Sequence, residues 1–95
     1  MFRLWGKIIK NNRMTNQYIA QYAKNDISQS EMLEVCLEEI CREFDIQKPL
    51  WFHVHTKDFA IYGRASFNQD AFIEEIDFDT FEIELVREEK KKKQR

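Results

Sequence analysis

FRLWGKIIKNNRMTNQYIAQY, residues 2–22, reads as two extended segments around an Asn-Asn pair, and its reading decides the fold. In FRLWGKIIK, Phe2, Leu4 and Ile8 fall on one side of an extended chain and Trp5 and Ile9 on the other. β-forming residues dominate, so the segment is predicted to be a strand, apolar on both faces for part of its length. Asn11-Asn12 comes next, and asparagine tolerates the left-handed backbone that a tight two-residue hairpin demands. RMTNQYIAQY then returns beside the first strand. Strict alternation places Met14, Tyr18, Ala20 and Tyr22 on one of its faces and Thr15, Gln17, Ile19 and Gln21 on the other.

Cover for this hairpin comes from the next stretch of chain. SQSE, residues 28–31, has the spacing of a capping box, in which the Ser28 hydroxyl accepts from the Glu31 N–H while the Glu31 carboxylate reaches back. A helix over 29–44 is predicted, with Leu33, Leu37, Ile40, Cys41 and Phe44 in one apolar stripe and most of its charges elsewhere. Pro49 stops any continuation, because it lacks an N–H and biases Lys48 away from helical backbone. Residues 50–75 leave alternatives open: LWFHVH as a short strand or an extended crossing segment, TKDFAIY as a helix capped by Thr56, and NQDAFIEE as a helical turn capped by Asn68. FEIELV, residues 81–86, differs in kind, since Phe81, Ile83 and Leu85 alternate with Glu82 and Glu84 as in a half-buried strand.

These elements make an α+β domain: a small antiparallel sheet, built from the N-terminal hairpin and the C-terminal strand, covered by one main amphipathic helix and a shorter helical segment. A chain of 95 residues suits one such domain, expected over 1–88, with 89–95 as a basic charged tail. Charge is distributed unevenly along it. Residues 1–25 carry Arg3, Lys7, Lys10, Arg13 and Lys24 without an acid, whereas residues 70–89 hold nine acids against Arg87. Placing the acidic last strand beside the basic first one allows cross-strand pairs of about 0.2–1 kcal/mol each.

Candidate chemistry is sparse. Two histidines, His53 and His55, lie one residue apart in WFHVHT, and in a strand both imidazoles would point to one side and could reach one ion. A catalytic zinc needs three protein ligands, so the missing donors would come from Asp58, Asp70 or Asp77, or from Cys36 and Cys41. A metal-dependent activity at this His-x-His pair is one alternative reading. The bland alternative is that Trp51, Phe52 and Val54 pack inward and leave the histidines at a rim. Carboxylates crowd residues 70–89 without the spaced Asp/Asn, central Gly and final Glu of a calcium loop, and they read as a solvated acidic face. The two glycines, Gly6 and Gly63, cannot build a phosphate loop, and no nucleophile has a base at motif spacing. No cofactor is expected.

Cys36 and Cys41, the only cysteines, sit about 140° apart around the predicted helix, too far round to pair. They read as buried thiols of a reducing compartment. MFRLWGKIIK has no apolar run of signal-peptide length, and no stretch approaches the ~20 apolar residues of a membrane span. Cytoplasm is the expected location, and a membrane is not an expected partner. Nucleic acid is the other alternative: Arg3, Trp5, Lys7 and Tyr18 interleave base and aromatic, and Lys90–Lys93 with Arg95 add phosphate affinity. Without those last five cations, residues 1–89 carry a net charge of about −7, which repels a polyanion.

LWGKIIK, LEEICREFDIQKPLW and FIEEIDFDTFEIEL together resemble a family of short proteins of about this length from Firmicutes such as clostridia. The resemblance spans most of the chain apart from the tail and implies an intracellular bacterial protein, with no activity or catalytic residue to carry over. The sequence therefore points to a non-enzymatic domain that binds another protein or associates with itself. Trp5, Lys7, Tyr18 and Trp51 are its candidate binding residues, and a sheet edge or the acidic face its candidate surface.

Overall fold

The structure, a computed structural model, describes residues 1–86; the tail read over 89–95 and the domain limit at 88 lie outside the described residues. Its element order is β1 (Phe2–Lys10), β2 (Arg13–Tyr22), α1 (Gln29–Phe44), α2 (His53–Tyr62), β3 (Arg64–Phe67) and β4 (Thr80–Leu85). A 3₁₀ turn over Gln69–Ala71 comes after β3. All strand pairs are antiparallel, in the order β2-β1-β4-β3, so the last strand lies beside the first as its charge pattern predicts. The α+β architecture is as expected, with β3 as a fourth strand.

Asn11 and Asn12 both take positive φ, 54° and 63°, which is the backbone a two-residue turn between twisted strands requires. Beyond the turn the register slips by one: Ile9 faces Met14, but Ile8 faces Asn16, leaving Thr15 as a bulge. This corrects the faces read from strict alternation. Met14 lies on the face of Trp5 and Ile9, not on that of Tyr18, and is 48% exposed.

One face of the sheet carries the core. Leu4, Ile8, Ala20, Phe67, Phe81 and Ile83 are buried there beneath Cys36, Leu37, Ile40 and Cys41 of α1. Gly6, central in β1, lets α1 settle onto the sheet, because a Cβ there would run into the Ile40 Cγ2 methyl. Phe81 stacks on Phe67 with ring centroids 5.9 Å apart and meets the edge of Phe44 at 6.2 Å.

The capping box of α1 is present in both directions, Glu31 N–H to Ser28 Oγ at 3.2 Å and Ser28 N–H to Glu31 Oε1 at 2.9 Å. Its end falls at Phe44 as predicted, by a stop other than Pro49. α1 stops at Asp45, left-handed at φ 56°, where Asp45 N–H donates to the Arg42 carbonyl and Ile46 N–H to that of Cys41. This Schellman closure terminates the helix before Pro49 is reached. The acidic loop before β4 is also tied down: Gln47 Oε1 accepts from the Ile73 and Glu74 N–H groups, and Gln69 Oε1 from that of Ile76.

Candidate protein-interaction surface

Both helices pack on the core side, and the opposite face of the sheet has no covering element among the described residues. Its centre is Lys7. The ammonium lies 2.9 Å from Glu84 Oε1 and 3.3 Å from Glu82 Oε1, and 4.1 Å from the centroid of the Trp5 ring. Trp5 Nε1 donates to Gln17 Oε1 at 3.1 Å, and Ser66 Oγ to Glu82 Oε2 at 3.2 Å. The basic first strand and acidic last strand thus answer each other across the register Lys7–Glu82 and Trp5–Glu84. Trp5 and Lys7 are committed to these internal contacts.

Tyr18 and Trp51 are elsewhere, so the four candidate binding residues do not share a surface. Tyr18 projects to the core face, where its hydroxyl donates to Glu39 Oε2 of α1 at 2.6 Å. Tyr22, next but one on that face, donates to Asp26 Oδ1 at 2.7 Å. Each bond to a carboxylate holds the phenol above its ordinary pKa, with desolvation adding to it. The first anchors β2 to α1, the second to the loop between them. Trp51 packs on Phe59 and Phe67 below α2 and donates from Nε1 to Thr56 Oγ1 at 2.6 Å.

The strand alternative for LWFHVH is corrected, because α2 begins at His53. On a helix, residues two apart point about 200° away from each other, so the two imidazoles diverge. His53 is exposed; His55 is 6% exposed and lies against Phe67, with ring centroids 4.3 Å apart. Its Nδ1 accepts from the Phe52 N–H at 2.9 Å, one of the donors a helix start leaves open. Burial pushes its pKa below the ordinary value, against a hydrogen bond to the Ser66 backbone and the charge of Asp58. Among the described residues, no three His, Cys, Asp or Glu side chains gather as a metal-binding group. Cys36 and Cys41 are buried free thiols, pushed up by burial to about 11 and about 12. At those values the nucleophilic thiolate is scarce.

An apolar groove of ≈520 Å³ runs between α1 and α2, lined by Leu33, Leu37, Pro49, Trp51 and Phe59. Lys48 stands on its rim, paired with Glu34 and, at 3.4 Å, with Glu38. Those bonds to the carboxylates, chiefly Glu34, hold the ammonium above its ordinary pKa.

The two sheet edges differ sharply. β3 is four residues long, enclosed in sequence by α2 and the 3₁₀ turn, and its first residue is Arg64. β2 is ten residues long and, among the described residues, bonded on one side only. Between Arg13 and Lys24 it carries no charge at all, in a chain that is 34% charged. Asn16, Gln17, Ile19 and Gln21 are all exposed along it, Ile19 to 48%. These residues were not singled out from sequence, although the ten-residue charge-free run was the available signal. Comparison of the chain with protein-family models, curated proteins and solved structures finds no match in any of the three.

Proposed function

We propose that this chain is a small intracellular domain without a catalytic role that works by binding protein along the β2 edge. An edge strand offers a row of unpaired N–H and C=O groups, and proteins ordinarily guard such a row with lysines, proline or a very short strand. The carrying observation is that β3 is four residues long and led by Arg64, whereas past the bulge at Thr15 the regular stretch Asn16–Tyr22 of β2 runs without a charge, with Asn16, Gln17, Ile19 and Gln21 exposed. Strand addition at such an edge draws affinity from main-chain hydrogen bonds and specificity from alternate side chains. The helices favour this use, since they pack on the core face and, among the described residues, no strand pairs with the outer side of β2.

The test is site-specific photocrosslinking. p-Benzoylphenylalanine is placed at Gln21 on β2 or at Lys57, an exposed position on α2, in the full chain within its native cells. Crosslinked species heavier than the chain are expected from Gln21 and not from Lys57. Adducts from Lys57 alone, or none from Gln21, would overturn the reading.

A further inference from the structure

We infer that the strand added to β2 is β2 of a second copy, pairing antiparallel about a two-fold axis at Ile19. This rests on the reading of β2 as the binding edge, and it names the partner. The bulge at Thr15 divides β2, because it changes the phase and increases the local twist. What remains regular is Asn16–Tyr22, seven residues whose middle member is Ile19.

A two-fold axis normal to the sheet keeps outer face on outer face, so only residues of like face can oppose each other. Centred on Ile19, the pairing sets Ile19 against its own copy and Gln17 against Gln21 on the outer face. On the core face it sets Tyr18 against Ala20 and Asn16 against Tyr22. Every pair is chemically self-consistent: aliphatic on aliphatic, carboxamide on carboxamide, large aromatic on small methyl, carboxamide beside phenol. No charge opposes another anywhere in the seven-residue stretch. On α1 beside the edge, Glu39, Arg42 and Glu43 lie near Tyr18 with mixed signs.

The product is a continuous eight-stranded antiparallel sheet with β3 at both outer ends. A single strand pair of this length buries less than the roughly 1,200 Å² of a standard stable interface, so the dimer is weak and dependent on concentration. Its side chains at the axis are exposed in the single copy, which makes charge reversal a clean probe.

Sedimentation equilibrium of the full chain tests the inference, using wild type, Ile19→Lys, Ile19→Glu and an equal mixture of the two variants. Wild type is expected to rise from 11.6 kDa toward twice that mass with concentration. Each variant alone is expected to stay at the single-chain mass, since two like charges meet at the axis. The mixture is expected to regain the doubled mass, which also shows that both variants are folded. A wild type held at 11.6 kDa up to millimolar concentration overturns the second copy as partner. In that event crosslinks from Gln21 to other chains would still uphold the protein-binding reading, and their absence would remove both. Doubling by each variant alone overturns the inference too, because association would then use another surface.

Discussion

His55 shows how one side chain sets a local conformation and its pH range. As a neutral imidazole its Nδ1 lone pair accepts from the Phe52 N–H and closes the start of α2. A proton on Nδ1 would turn that acceptor into a donor facing a donor. Unfolded histidine takes up its proton near the ordinary value of 6.5, while burial in the folded protein lowers that value. Between the two the unfolded chain binds more protons, so stability falls as pH drops below about 6.5 and is unaffected by this residue above it. The urea midpoint is therefore expected to decrease from pH 7.5 to 5.5. His55→Gln is expected to flatten that decrease, because a glutamine at this third helical position can accept the same N–H without titrating. Equal pH dependence in the two proteins would contradict this role.

At the scale of elements, legibility depended on how local the determining signal is. The hairpin and α1 were readable because their signals are short and chemical: two asparagines that accept positive φ, and a serine with a glutamate three residues on. The start of α2 was not. Phe52 stands where a hydroxyl or carboxamide cap is usual, the capping acceptor belongs to His55, and Thr56, which looks like the cap, instead receives the Trp51 indole N–H. The Thr15 bulge left no trace either, since no glycine or proline marks it and its effect is a phase shift fixed by pairing with β1. β3, at four residues, is too short to establish a period, whereas Asn68 does cap its turn as expected, accepting from Asp70 N–H at 3.1 Å. Contact between elements carries its own prediction. Gly6→Ala forces a methyl against Ile40 and is expected to cost about 1–3 kcal/mol of stability. Ile40→Ala in the same chain should relieve the clash, so the double variant is expected to lose less than the summed losses of the singles in a denaturant titration. Strict additivity would mean that α1 does not rest on Gly6.

For the whole molecule, charge and cover are arranged with different degrees of closure. Acids of β4 are met by Lys7 and Ser66, Lys48 by acids of α1, the His55 imidazole closes the start of α2 and both thiols are buried, so these groups are engaged in holding the domain together. Both helices lie on one side of the sheet, and β3 ends it briefly at one edge. At the other edge ten residues of β2 stand bonded on one side only among the described residues, uncharged beyond Arg13. That imbalance is the basis for reading the molecule as one that completes its sheet with another chain. Amide hydrogen exchange of the full chain at low and high protein concentration tests this most directly, because pairing protects the outward N–H groups of the edge strand. Residues 16–22 are expected to exchange more slowly at high concentration, with residues 64–67 unchanged and the effect lost in Ile19→Lys. Exchange over 16–22 that is the same at both concentrations would contradict the account.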